Sequence, residues 1–278
     1  MGNILKCSSR GIQFMLALGM AVAACVNLGA CATGAGTAAQ SASKPDMVTE
    51  SDEPEGRRRA RIRLELAVGY FEEGQPTIAL DEVKQALNAD PNFAEAYNVR
   101  GLIYMRLSDA RLAEESFRRS IALKPGDSNV QHNYGWLLCQ QGRYVESGQM
   151  FSQALGNPQY GDRPKTLMTQ GLCQIRAGQR TEAEASLTRS YELDAGNPIT
   201  GYNLSTLLFQ RGELTRAQFY IRRLNNSESA NAESLWLGIK VERRLDNRDA
   251  VEQLAGQLRK RFPQSPEMAR YERGAFDE

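Results

Sequence analysis

A 34-residue step runs along this chain and constrains its fold more than any other feature. Pro91 and Pro125 are one step apart, and each closes an amphipathic stretch, A-L-N-A-D-P and I-A-L-K-P-G. The same step relates Tyr70 to Tyr104, Ala67 to Gly101 to Gly135, Ala79 to Ala113, and Val83 to Phe117 to Phe151. Self-similarity at this length is the mark of repeated units that bury their apolar faces only against one another. The residue types suit a helix pair. A small residue in the first helix lets the second approach, a small residue in the second reciprocates, a large apolar side chain fills the gap, and proline stops the second helix.

The pattern continues with drift. Gly171 and Gly238 take the small site of the first helix, with Ser205 in the fifth copy. Ala183, Ala217 and Ala250 take the small site of the second, with Ser147 in the third copy, and Gly74, Gly142, Gly178 and Gly212 mark the turns inside pairs. The step from the third to the fourth copy is 36, so two residues are inserted around Asn157-Pro158-Gln159-Tyr160. Period and residue types together resemble the tetratricopeptide repeat (TPR). The expected fold is all-α, a right-handed superhelix (α-solenoid) of about six TPR helix pairs. The repeats are expected near 60–93, 94–127, 128–161, 164–197, 198–230 and 231–264, followed by a polar C-terminal cap, all within a TPR domain at 57–278.

Residues 1–30 read as an export signal. Lys6 and Arg10 supply a positive start, and Ile12 to Ala24 is an apolar run too short to span a bilayer comfortably. Leu28-Gly29-Ala30-Cys31 resembles the bacterial lipobox, in which the cysteine is lipidated and becomes the new N-terminus. Val22-Ala23-Ala24-Cys25 fits the same pattern, but Cys31 leaves the fuller apolar run. A cleaved signal without lipid is the remaining reading. Ala32 after the cysteine implies, by that resemblance, an outer-membrane lipoprotein facing the periplasm of a Gram-negative bacterium. Residues 31–56 hold few large apolar groups and read as a lipid-anchored flexible tether. Arg57, Arg58, Arg59, Arg61 and Arg63 follow; they read as a solvated helix start or as contacts to anionic lipid.

The balance of 34 basic against 33 acidic side chains creates no field that would draw in nucleic acid, so none is expected as a partner. Catalysis is not expected either. His132 is the only histidine, no nucleophile motif adjoins it, and there is no G-x-S-x-G, Walker loop, H-E-x-x-H or C-x-x-C. No cofactor or metal is called for. Cys139 and Cys173 lie one period apart, on first helices expected to pack side by side, and in an oxidising compartment a disulfide between them is expected; two small buried hydrophobes are the alternative.

In a stack of this kind the first helices line the concave face. Leu64, Val68 and Phe71 are expected to face it from the first pair, Asn98, Leu102 and Met105 from the second, and His132 and Trp136 from the third. That stripe is unusually apolar and suits an amphipathic helix or an extended hydrophobic segment; packing between helices is the alternative for any one of these residues.

N-Y-G-W-L-L-C-Q-Q-G-R-Y at 133–144, F-S-Q-A-L-G-N-P-Q-Y at 151–160 and Q-G-L-C-Q-I-R-A-G at 170–178 go beyond a generic repeat. With A-E-S-L-W-L-G-I-K-V-E-R at 232–243 and R-F-P-Q-S-P-E at 261–267, they resemble the type IV pilus biogenesis lipoproteins called PilF or PilW. The resemblance implies a pilotin: an outer-membrane lipoprotein, handled by the lipoprotein sorting machinery and held in the membrane's inner leaflet by its lipid, that helps the pilus secretin reach the membrane and form its ring. It supports Cys31 as the lipid site and Cys139 with Cys173 as a pair. Ser147-Gly148 and Met168-Thr169-Gln170 depart from the family's pattern. Another periplasmic TPR adaptor of envelope assembly is the alternative function.

Overall fold

The computed structural model describes residues 52–276. The expected signal peptide, Cys25, Cys31 and most of the tether lie outside the described residues. Among those residues there are thirteen helices and no strand. Six antiparallel pairs follow one another: α1 (Glu55–Glu72) with α2 (Pro76–Ala89), α3 (Ala94–Arg106) with α4 (Ala110–Leu123), α5 (Ser128–Gln140) with α6 (Tyr144–Leu155), α7 (Arg163–Arg176) with α8 (Arg180–Leu193), α9 (Pro198–Gln210) with α10 (Leu214–Asn225), and α11 (Ala232–Arg244) with α12 (Arg248–Arg261). The short α13 (Pro266–Glu272) closes the last pair. Helix α1 starts just inside the stretch expected to be tether, because Pro54 at the N-cap presets the backbone and Glu55 complements the first turn.

Within the six pairs each odd-numbered helix packs on its own even partner and on the even helix before it where there is one, and the backbones of successive odd helices also approach one another. The backbones of successive even helices do not, and α8 and α10 meet only through side chains such as Tyr191 with Tyr220 and Glu184 with Arg216. A stack whose one layer closes up while the other splays must curve toward the closed layer. The odd helices therefore form the inner wall of the TPR superhelix.

Close approach within pairs follows from the small residues. A Cβ at Gly101 would stand 2.5 Å from the Phe117 ring, one at Gly135 2.9 Å from Phe151, and one at Gly171 2.7 Å from Leu187, all too close without displacement of the filling side chain. Ala79, Ala113, Ala183 and Ala217 are fully buried opposite. Where serine replaces the small residue it is buried but satisfied. The Ser147 hydroxyl donates to the Gly135 carbonyl at 2.7 Å, and that of Ser205 to the Ala217 carbonyl at 2.9 Å.

Every odd helix of the six pairs ends in the same paired-carbonyl turn. In the second pair, for example, the Asp109 amide donates to the Tyr104 carbonyl at 2.9 Å and the Ser108 amide to Met105 at 3.1 Å. That turn needs one left-handed residue. Gly74, Gly142, Gly178 and Gly212 supply it at φ between 75° and 81°, but Ser108 (62°) and Asp246 (56°) supply it in the second and sixth pairs. A β-carbon in this conformation costs about 1–2 kcal/mol, partly offset by the entropy glycine loses on folding. Ser108→Gly is thus expected to stabilise the body by about 0.5–1 kcal/mol, roughly 2 °C in Tm. An unchanged or lowered urea midpoint would show that the serine is unstrained there.

Asp246 also corrects the register of the sixth copy. It lies 34 residues after Gly212, so the period is kept and Ile239, not Gly238, stands at the register of Ser205. Ala250, expected at the second small site, is correspondingly half-buried rather than enclosed. Gly238 serves a different contact: a Cβ there would meet the Asn225 amide at 2.5 Å.

The arginines at the start of α1 mostly pair within the body. Arg57 pairs with Asp90 and lies over the Phe93 ring, Arg61 reaches Glu53 and Glu65, and Arg63 reaches Glu82 at 2.9 Å.

Candidate functional site

The inner wall is organised in columns, because equivalent positions recur with the repeat. One column runs Leu64, Asn98, His132, Met168, Tyr202, Trp236; a second runs Val68, Leu102, Trp136, Leu172, Thr206, Lys240; a third runs Phe71, Met105, Cys139, Ile175, Phe209, Arg243. Each step is one period, with the two-residue insertion between the third and fourth members.

Six of the eight expected groove residues, Val68, Phe71, Asn98, Leu102, Met105 and Trp136, are half-buried, with side-chain surface remaining on the wall. Two are corrected to interior positions. Leu64 is 9% exposed and belongs to the core that Ala67, Ala79 and Val83 build between α1 and α2. His132 is 7% exposed: its Nδ1 lies 2.8 Å from the Thr166 hydroxyl, which donates to Tyr160 Oη at 3.1 Å, and its ring packs 5.9 Å from that of Phe151. Burial, and after it the positive charge of Lys165, pushes the His132 pKa down to about 4. The imidazole is therefore neutral at pH 7 and joins α5 to α7. The polar link next to it is Asn133, whose amide donates to Asn98 Oδ1 at 3.1 Å and joins α5 to α3.

Trp136 carries a partner that sequence reasoning did not place. The Arg176 guanidinium lies 4.8 Å from the centre of its ring, so one indole face is covered by a cation from the next pair. Cys139 and Cys173 come together below it, with Cα atoms 5.9 Å apart, and Phe151 packs on both.

The strip does not end at the third pair. Met168, Leu172 and Ile175 continue it on α7, all half-buried, and Tyr202, Thr206 and Phe209 on α9. The 34-residue step was the signal that could have found them, carried through the later copies. On α9 and α11 the wall deepens into a cleft of about 420 Å³, which Trp236, Lys240 and the cap residues Glu267 and Arg270 also line. Among the described residues no group of histidine, cysteine and acidic side chains is placed to hold a metal, and no helix is long and apolar enough to cross a membrane.

Helix pairs with this period, this curvature and this small-against-large packing define a tetratricopeptide-repeat protein, and the tetratricopeptide repeat profile matches residues 64–128 and 104–164. The chain is 32% identical to PilW, a widely conserved type IV pilus biogenesis factor of known crystal structure, with a TM-score of 0.68 over 76% of this chain and 96% of that one. The structure of Pseudomonas aeruginosa PilF matches with a TM-score of 0.71 at 26% identity, over 79% of this chain and all of that one. The curated type IV pilus assembly protein PilF of Pseudomonas aeruginosa is 27% identical over 218 residues, 78% of this chain and 86% of its own length. The chain belongs to the PilF/PilW family of type IV pilus biogenesis proteins.

Proposed function

We propose that this protein is a pilotin: an outer-membrane lipoprotein that binds the subunit of the type IV pilus secretin and promotes its localisation and multimerisation at the outer membrane. The observation that carries this reading is the apolar strip of the inner wall in a chain of the PilF/PilW family. Val68, Phe71, Leu102, Met105 and Trp136 keep surface on one wall across three pairs, which suits a hydrophobic partner segment that would otherwise aggregate. In this reading Cys31 bears the lipid, the stretch to residue 56 is the tether, and two or three acyl chains hold the protein in the inner leaflet, since one chain holds only marginally. The body acts by binding, without cofactor or catalysis.

Burying an apolar side chain of this size contributes about 1.5–3 kcal/mol, and about 1.4 kcal/mol is tenfold in Kd. Val68→Glu with Leu102→Glu is therefore expected to weaken binding to the secretin subunit at least about tenfold, and to reduce secretin multimers and surface pili in cells. Circular dichroism establishes that the variant is folded. A folded variant with unchanged secretin affinity would place the partner elsewhere and reject this groove. A clean deletion that leaves pili and secretin multimers intact would reject the pilotin reading itself.

A further inference from the structure

The apolar strip has a charged edge. Beside its third column a fourth runs Glu72, Arg106, Gln140, Arg176, Gln210, Arg244 along the last turns of the odd helices. Arg106 and Arg176 are exposed, and among the described residues neither has a carboxylate partner. Arg176 rests on the Trp136 ring, 4.8 Å from its centre. The four columns hold no acidic side chain in the second, third or fourth pair. Acids close in the chain are engaged elsewhere: Glu73 accepts from the Gln75 side chain at 3.0 Å, Asp109 caps α4 by accepting from the Leu112 amide at 2.9 Å, and Glu95, at the far end of α3, pairs with Lys124 at 2.7 Å. Glu72, at the head of the row, and Glu182, on α8, make no ion pair with either arginine. A cation in the last turn complements the helix dipole, but α5 and α9 carry none there, so the fold does not require it. A guanidinium laid on a ring keeps its in-plane N–H groups, which match a carboxylate. The middle of the wall is thus apolar with positive charge along one edge, a surface that complements apolar groups flanked by acids and repels cations.

We propose that the inner wall selects an extended partner segment with two acidic residues six positions apart and apolar residues between them, the acids on Arg106 and Arg176 and the apolar groups on Leu102, Trp136 and Leu172. The spacing follows from the stack. Helices α3 and α7 are two helix-to-helix steps of about 8–10 Å apart, and six residues of extended chain at about 3.3 Å each span about 20 Å. Alternate residues of an extended segment share one face, so acid, apolar, apolar, acid at two-residue steps all meet the wall together. The inference rests on the reading of the strip as a docking surface, and it holds whichever protein supplies the segment.

The test uses synthetic peptides with blocked ends, Gly-Asp-Ser-Leu-Ser-Phe-Ser-Asp-Gly and the same peptide with Asn or Lys at both Asp positions, titrated calorimetrically into the full chain. The aspartate peptide is expected to bind about five- to tenfold more tightly than the asparagine one, a size that two exposed ion pairs reach together, and the lysine peptide more weakly than either. Added salt should shrink the difference. Arg106→Gln with Arg176→Gln should bring the aspartate peptide to the affinity of the asparagine one, whereas Leu102→Ala should weaken both alike. Equal affinities of the three peptides, all weakened by Leu102→Ala, overturn the charge selection and leave the strip as a docking surface. Equal affinities untouched by Leu102→Ala, or binding of none at about 1 mM, the weak limit of specific recognition, overturn the strip as well. A folded double variant that still prefers the aspartate peptide overturns the assignment to these arginines. Retention on phosphatidylglycerol vesicles that the double variant loses, with no preference among the peptides, would give the arginines to a lipid surface and overturn it too. Since the peptide series is compared on the unsubstituted chain, it decides the charge selection even where a variant fails to fold.

Discussion

Reduction of the Cys139–Cys173 pair is expected to lower the unfolding free energy of the body by about 3–4 kcal/mol. The two residues are 34 apart, and closing a loop of that length in the unfolded chain removes about this much on the chain-entropy account. The bridge also lies where the stack most needs one. Connection 156–162, between α6 and α7, is longer than 90–93, 124–127, 194–197 and 226–231, which join the other pairs. Arg163 partly compensates by donating to the Leu155 carbonyl at 2.7 Å, but a bond from α5 to α7 fixes the two sides of the insertion directly. The sulfurs sit under Trp136 and against Phe151, so loss of the bridge should loosen the middle of the inner wall as well as the whole. Urea melts with and without reductant, and the Cys139→Ala/Cys173→Ala double variant, measure the effect. Peptide mapping under non-reducing conditions that finds two alkylatable thiols in the protein isolated from its native cells would reject the bridge, and an unchanged midpoint on reduction would reject its energetic role.

The packing of the pairs was readable in the sequence because both members of each contact repeat. Gly101 meets Phe117 and Gly135 meets Phe151, and each residue type recurs one period on. What failed to read out were features where one residue type stands in for another. Ser108 and Asp246 adopt the left-handed turn conformation that the glycines of the other pairs adopt, and nothing local in their side chains announces it. Gly238 imitates a small site because the residue next to it, Ile239, holds the true register in an enclosed position that tolerates bulk. The candidate site was legible in direction but not in depth. A helical position fixes the angle at which Leu64 and His132 leave their helices. Whether they reach the surface depends on neighbours, here the first-pair core around Leu64 and the Thr166, Tyr160 and Phe151 side chains around His132. The later copies were missed because their wall residues differ in kind. Lys240 follows Thr206 and Leu172 in a column where no single property is kept, and only the count of residues connects them.

The inner wall therefore combines two kinds of surface on one scaffold. The first pairs offer apolar side chains at partial exposure, held by buried small-residue contacts that leave little room to adjust. The last pair and the cap offer a cation on aromatic faces, with Arg270 fixed by Glu267. Both surfaces lie on odd helices that pack directly on one another, so the stack holds them in a fixed relation. The bridge between α5 and α7 sits between the two.

Acidification is expected to destabilise the body through His132 by about 2 kcal/mol at pH 5 and about 3 kcal/mol at pH 4 relative to pH 7. The folded-state pKa is about 4, against an ordinary 6.5. The folded protein thus favours neutral imidazole, and between those values the unfolded chain binds the proton that the folded one refuses. Stability from this group is complete above about pH 6.5, falls as the pH drops toward 4, and changes no further below it, where both states are protonated. The cause is local: a buried ring sharing hydrogen bonds with Thr166 and, through it, Tyr160, with Lys165 positive nearby. Carboxylates titrate in the same range, so the measurement is a difference. Urea midpoints of the unsubstituted chain and of His132→Gln are compared at pH 7, 5 and 4. The variant is expected to start less stable at pH 7, since it loses packing on Phe151, and to lose about 3 kcal/mol less than the unsubstituted chain on going to pH 4. Parallel pH profiles for the two chains would show that His132 titrates normally, and hence that the α5–α7 seam admits water around the ring.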